Sequence, residues 1–463
     1  VRLYVRAGAV VHSSAIRGPR HGFQFLQQLS SGRRSCQQDF RRATPGGAMS
    51  ADAAPASPSV QDRIQHVFVL MLENRSFDHL FALSGYPDIV AASPGNSNAY
   101  GDAVYPFGGG APDRMPTDPC HEFNDVLEQL CGAGVPFVKG QPYPPVVNTG
   151  FVSNYATSHS EGTPPQPADA GKIMQGVDIA TQAPSLHALA NAFVLCDAWH
   201  ASMPGPTWPN RFFLHGASSA GLDHSPTREE MAGWDAFNGF PYPKGSIFAA
   251  LGDDNWRIYQ DQTGDPLGHV PQVASLKGIS FFDIDDLAHF EADLAAGYTA
   301  RYTFIEPGYG DIVHGTYQNG SSQHPMDGLA GGDQLAARVY NAIRNSPVWN
   351  SSLLVICYDE HGGFYDSVRP GAAPPPNDGA AATLNASGFG FDVYGVRVPA
   401  IVISPWVAAG QVDHTPYDHA SVAATLERLF GLAPLTDRDR LANDLLALVT
   451  PTCRTDCPQR IGS

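Results

Sequence analysis

The chain has 463 residues, 43% of them apolar, with a formal charge of −17. That length supports one large or two ordinary domains, the acidity argues against nucleic acid as a partner, and no run of 18 or more apolar residues offers a transmembrane segment. Gly (47) and Pro (39) are both enriched, so long structured loops are expected between the elements.

Residues 1–48 hold eight arginines, no lysine and one acid, Asp39, with no helical or strand period. Arg33-Arg34 hints at a twin-arginine export signal, but residues 41–60 lack the apolar stretch that signal needs. The plainer reading is translated upstream sequence with the natural start at Met49, so residues 1–59 are expected to be a disordered basic leader. Order begins at HVFVLML, residues 66–72, a buried-strand run that ends in Glu73, Asn74, Arg75, Ser76, Asp78 and His79. Asn74 or Ser76 could cap a following helix. Residues 91–150 read as long loops over a sheet edge and contain His121; a lone loop histidine is more often a surface residue than a ligand.

Residues 183–192 form a short helix with a Pro near its start, and 193–196 a strand leading into Asp197. MPGPTWPNR, residues 203–211, has three prolines and a glycine, a backbone rigid enough to fix Thr207, although a lone threonine there reads first as an ordinary turn hydroxyl. A helix is expected at 246–251, a strand at 256–259, an amphipathic helix at 284–296, and a strand at 302–305 ending in Glu306. The loop 308–326 carries His314 and His324. Residues 329–345 form an amphipathic helix, the crossover of a βαβ unit. Next comes LLVICYDEHGGFYD, residues 353–366: a buried strand that ends in Asp359, Glu360 and His361 and then a Gly-Gly turn. Residues 398–404 are the last core strand, and 420–430 a helix with Asp418 as its expected N-cap. Seven cysteines make no disulfide framework at this length. Cys120 with Cys131 and Cys453 with Cys457 are plausible local pairs, free thiols being the alternative; Cys196 and Cys357 fit as small core residues.

At least four apolar strands thus end in polar groups: Glu73-Asn74, Asp197, Glu306 and Asp359-Glu360. In a parallel sheet those ends share one edge, where α/β folds build their sites. Adjacent carboxylates repel unless a cation or a shared proton compensates. Asp359-Glu360 alone is equally consistent with an acidic turn. Together, carboxylates and an amide oxygen make a hard donor set for one divalent cation. Such a cation would make the Thr207 hydroxyl a competent nucleophile, and histidines could protonate a leaving oxygen.

ENRSFDHLF at 73–81, PGPTWPNR at 204–211 and DEHGGFYD at 359–366 resemble, in family order, the bacterial and plant phosphoesterases. That family includes non-specific phospholipase C and the respiratory-burst-inhibiting acid phosphatases. The resemblance runs from about residue 64 to about residue 432. It implies an α/β fold like that of alkaline phosphatase, with a largely parallel central sheet flanked by helices and long site-forming loops. It implies a single phosphoesterase catalytic domain at 60–450 and a short tail at 451–463. It also implies Glu73, Asn74, Thr207, Asp359 and Glu360 as ligands of one divalent metal of unknown identity, and Thr207 as the nucleophile that forms a phospho-enzyme. His121 and His324 would contact phosphate, while His361 and His79 would support the site. Where the family usually has Gly after its first block, this chain has Ala82, and a small backbone adjustment is expected. Thr at 207 is similar to the phospholipase branch, the acid phosphatases tending to Ser. The implied activity is phospholipase C-type cleavage to diacylglycerol and a phosphorylated head group. Phosphomonoester hydrolysis (acid phosphatase) is the alternative, and a non-catalytic phosphate- or phospholipid-binding protein is the alternative of another class. The implied partners are a phospholipid or small phosphate ester and, peripherally, a membrane. Family habit implies export, although no signal peptide is legible.

Overall fold

The run HVFVLML forms the strand His66–Leu72 with all seven residues buried. Ser352–Tyr358 pairs with it in parallel, His66 opposite Ser352 and Leu72 opposite Tyr358. Strands this apolar need cover on both faces, which helices flanking a parallel sheet supply. In the computed structural model, which describes residues 59–159, 163–234, 239–269 and 271–462, these two strands are the centre of an eight-stranded sheet. Its order is Gln411–Asp413, Val194–Cys196, Ala400–Ile403, Ser352–Tyr358, His66–Leu72, Tyr302–Glu306, Trp256–Gln260 and Ile284–Asp286. Ala400–Ile403 runs antiparallel to both neighbours, and the other pairings are parallel. The fold is α/β with a largely parallel sheet, as expected. The basic leader, its arginine pair and Met49 lie outside the described residues.

The helix Ala330–Arg344 carries the chain from Tyr302–Glu306 to Ser352–Tyr358, passing over His66–Leu72 between them. It buries Leu335, Ala336, Val339, Tyr340 and Ile343, the single apolar face a crossover helix lays on a sheet. The tail straps across its outer side: the Tyr340 hydroxyl donates to the Pro458 carbonyl and Asn341 Nδ2 to that of Ile461. Among the described residues no helix is long and apolar enough to cross a membrane.

Several expectations need correction. Residues 91–150 are not loop throughout: they hold a hairpin, Ser97–Tyr100 with Ala103–Pro106, and the helix Phe123–Cys131. Residues 284–296 are not one helix. Ile284–Asp286 pairs as the edge strand, and only Phe290–Ala295 is α-helical. Asp418 does not cap the helix Ala420–Phe430, whose N-cap position is His419; instead it pairs with the buried Arg438 at 2.9 Å. Among the described residues neither local pair, Cys120 with Cys131 or Cys453 with Cys457, is joined by a disulfide. Cys196 and Cys357 are buried in strands, as read.

Candidate active site

His66–Leu72 ends at the sheet edge and the chain turns sharply. Glu73 follows, then Asn74 with a left-handed φ of 60°. Ser76 caps the helix Phe77–Phe81, accepting from His79 N. Asn is among the residues that tolerate this backbone region best. Ala82, at the end of that helix, has φ −58° and needs no adjustment. Beside this turn lies the DEHGG turn, and the fit is close. A Cβ at Gly362 (φ 61°) would stand 2.2 Å from the Asn74 carbonyl oxygen. One at Gly363 (φ 73°) would stand 2.7 Å from Pro119 Cβ and 3.0 Å from the Cys120 carbonyl oxygen. The two glycines thus let the loop that carries His121 and the turn that carries Asn74 close onto Asp359-Glu360. Gly362→Ala is expected to destabilise the fold by about 1–3 kcal/mol for the left-handed backbone and by a similar amount, about 1–3 kcal/mol, for the overlap. Urea unfolding checks this, and an unchanged midpoint would contradict the packing described.

Thr207 is the first residue of the helix Thr207–Gly216, with Pro206 at the N-cap. The first-turn N–H groups of such a helix have no intrahelical partner and favour an anion. Asn210 pins the turn before it: Oδ1 accepts from Met203 N, and Nδ2 donates to the carbonyls of Met203, Gly205 and Pro206. The Thr207 hydroxyl donates to Asn74 Oδ1 at 3.2 Å.

Glu73, Asn74, His121, Thr207 and His324 line one cleft of about 590 Å³, with Trp208, Tyr309, Tyr317 and the acids Asp118, Glu122 and Asp125. Asp359 and Glu360 lie fully buried against it. Asp359 Oδ1 accepts from the backbone N–H groups of Asn74 and Glu360, and Oδ2 from Arg211 Nε at 2.9 Å. Glu360 Oε2 accepts from Gly362 N, while its Oε1 takes no hydrogen bond and lies 3.8 Å from His121 Nε2. Glu73 Oε2 is likewise buried without a bond.

Burial, then the nearby Asp359 charge, pushes the Glu73 carboxyl up to about 8. Burial pushes Asp359 up to about 6 against the pull of Arg211. Burial also opposes the charge on Glu360, but His121 and His361 more than offset it and hold that carboxyl below its ordinary range. At His121, burial disfavours the cation, yet Glu360 and Asp118 push the ring up to about 10. The Nδ1 bond to the Pro119 carbonyl pushes the same way, whereas Asn74 Nδ2, a donor 3.3 Å from Nε2, favours the neutral ring. His324 is held well below its ordinary value by burial and by the charges of His121 and Arg75. Its Nδ1 accepts from Met326 N, which leaves the proton on Nε2, 3.5 Å from Asp118. Tyr317 stacks on its ring at 3.6 Å.

The donors present fit one hard divalent cation: two unbonded carboxylate oxygens, an amide oxygen, a hydroxyl, and Asp359, whose bonded oxygens keep further lone pairs. Among the described residues no three His, Cys, Asp or Glu side chains form a ready metal cluster, so the fit depends on the Asn74 and Thr207 oxygens.

The two supporting histidines sit outside the cleft lining. His361 Nε2 bonds Gln129 Oε1 at 2.7 Å, with Nδ1 3.4 Å from Glu360. His79 is buried between Arg75, the Gln175 carbonyl and the Phe364 ring. Asp197 is not part of the site. Its strand lies beyond Ala400–Ile403 and Ser352–Tyr358, and its carboxylate is taken by Val90 N and His414. Glu306 contributes indirectly, through Arg211 and the Tyr309 hydroxyl.

Arg211 was not singled out in the sequence, although it stands four residues after Thr207 on one helix, the spacing that puts both on one face. Its side chain joins Asp359, Glu306 and the carbonyls of Met71 and Leu72.

A hydroxyl fixed at a helix start, beside carboxylates and two histidines on the edge of a parallel sheet, suits ester hydrolysis at phosphorus. Comparison with known proteins gives the same class, a hydrolase of phosphate esters. Residues 64–433 match the Phosphoesterase family, and the chain belongs to that family. It is 33% identical over 429 residues to non-specific phospholipase C3 of Arabidopsis thaliana, covering 88% of this chain and 77% of that protein. It is 29% identical over 439 residues to non-hemolytic phospholipase C of Pseudomonas aeruginosa, covering 84% of this chain and 57% of that protein. Among solved structures, phosphonate monoester hydrolase of Agrobacterium radiobacter aligns over 85% of this chain and 79% of that one, at 12% identity and a TM-score of 0.35.

Proposed function

We propose that this phosphoesterase is a phospholipase C-type phosphodiesterase that works through a phospho-threonine on Thr207. The observation that carries the reading is the placement of the Thr207 hydroxyl at a helix start, bonded to Asn74, in the same cleft as Glu73, His121 and His324. The Thr207 oxygen attacks phosphorus as the bond to the diacylglycerol oxygen breaks. The hydroxyl proton leaves Thr207, and the departing oxygen takes one, with His121 and His324 as carriers within reach. Water then attacks the phospho-threonine, frees the phosphorylated head group and restores the hydroxyl. One divalent cation, held by Glu73, Asn74, Thr207, Asp359 and Glu360, would favour the alkoxide and offset phosphoryl charge. The relatives, phospholipases C of a plant and a bacterium, support phospholipid as the substrate class.

A diester is favoured over a monoester by charge. Beyond the proposed metal ligands, the described residues that line the cleft include Asp118, Glu122 and Asp125 and no Lys or Arg, a wall that suits one phosphoryl charge better than two. Side-by-side rates on nitrophenyl phosphocholine and nitrophenyl phosphate are expected to favour the diester by at least about tenfold, a difference of roughly 1.4 kcal/mol in transition-state binding. Chelation should abolish the diester rate, and one added divalent metal should restore it. A faster monoester, or a rate indifferent to chelation, would count against the reading.

A further inference from the structure

The loops that follow Trp256–Gln260 and Tyr302–Glu306 rise from the same sheet edge as the cleft and are packed backbone to backbone. A Cβ on Gly268 would stand 2.3 Å from Gly310 N, and Tyr309 N donates to the Gly268 carbonyl. At the tips of these joined loops two apolar side chains face solvent, Leu267 at 40% and Val313 at 64% exposure. Val313 adjoins Ile312, which lines the cleft together with the half-buried Trp208 and Met231. The exposed pair therefore sits on two joined loops that both supply residues to the cleft lining, Gln272 from one and Tyr309 and Ile312 from the other. Scattered apolar side chains need no explanation; two on loops locked together beside a cleft are placed to act on one surface.

We propose that Leu267 and Val313 dip into a zwitterionic phospholipid surface and seat the mouth of the cleft on it. The proposal rests on the phospholipase reading above, which makes it a geometric need. The acyl chains stay in the bilayer while the phosphate must reach Thr207, so the mouth must meet the head-group layer. Small apolar tips that enter the boundary between head groups and chains provide such a hold. The acidic wall of the cleft and the formal charge of −17 choose the kind of surface. Anionic lipids would repel the mouth, whereas a zwitterionic layer would not.

The test compares the wild-type chain with the Leu267→Asp/Val313→Asp double variant. Sedimentation with phosphatidylcholine vesicles, and hydrolysis of those vesicles, should each fall by at least about tenfold in the variant, the loss expected when two apolar anchors become charged. The rate on soluble nitrophenyl phosphocholine should stay within about twofold, because neither side chain lines the cleft. The proposal is overturned if the variant binds and hydrolyses vesicles as the wild type does. It is also overturned if soluble and vesicle rates fall together, or if the wild type binds phosphatidylglycerol vesicles better than phosphatidylcholine. Failure of the phospholipase reading has a different signature: the wild type would turn over neither ester, while sedimentation would still report docking.

Discussion

Thr207→Ala is expected to lower turnover of a phosphodiester by at least about 10⁴-fold, the scale on which removal of a nucleophile acts in hydrolases with a covalent intermediate. The loss should be in kcat, with KM little changed, because the helix N-terminus, His121 and His324 that would hold the phosphoryl group remain. Folding should hardly respond. The hydroxyl makes one bond, to Asn74 Oδ1 at 3.2 Å, worth about 1 kcal/mol. Thr207→Ser keeps the nucleophilic oxygen and should recover a substantial part of the rate. Stopped-flow and steady-state kinetics on a chromogenic diester, with circular dichroism as the folding control, check all three statements. Alanine turnover within about tenfold of wild type would remove Thr207 from the proposed role.

Arg211→Ala should have a large effect on stability. The guanidinium is buried and lies between two buried carboxylates, 2.9 Å from Asp359 and 3.4 Å from Glu306. It also caps the carbonyls of Met71 and Leu72 at the end of the first strand. Its removal leaves both acids without their counter-charge in the core, which costs roughly 3–5 kcal/mol. Arg211→Lys is expected to fall between, since one ammonium cannot reproduce a planar fork that bonds four oxygens at once. Denaturant midpoints measure this. A loss below about 1 kcal/mol for the alanine variant would mean that the two acids are compensated by something other than Arg211. Activity should fall as well, because Asp359 would lose the contact that orients it beside Asn74.

The central strands were legible because their chemistry is local. HVFVLML and the apolar run before Asp359 are buried on both faces and read as strands within a residue of their observed ends. Residues 284–296 misled for the opposite reason. Ile284, Leu287, Phe290 and Leu294 have nearly helical spacing, yet pairing with Trp256–Gln260 pulls Ile284–Asp286 into an edge strand, a case of tertiary context overriding pattern. Asp418 was misassigned because its partner, Arg438, is 20 residues away in sequence, where capping rules do not look. At the site, Glu73, Asn74, Thr207, Asp359 and Glu360 could be read from strand ends and motif resemblance, and the fold brings them together. How His121 arrives could not be read. It depends on Gly363 letting the 119–121 loop approach within contact distance. Arg211 was within reach of helical spacing, but its role depends on Asp359, 148 residues further on.

The covalent intermediate is the centre of the account, and trapping it is the most direct measurement. The wild-type enzyme turning over a choline phosphodiester is quenched in acid, digested, and its peptides are analysed by mass spectrometry. One phosphorylated head group is expected on the peptide that contains Thr207, at that residue, and none on Thr207→Ala. Label on another side chain would contradict it, as would undiminished turnover by Thr207→Ala with no label on either protein.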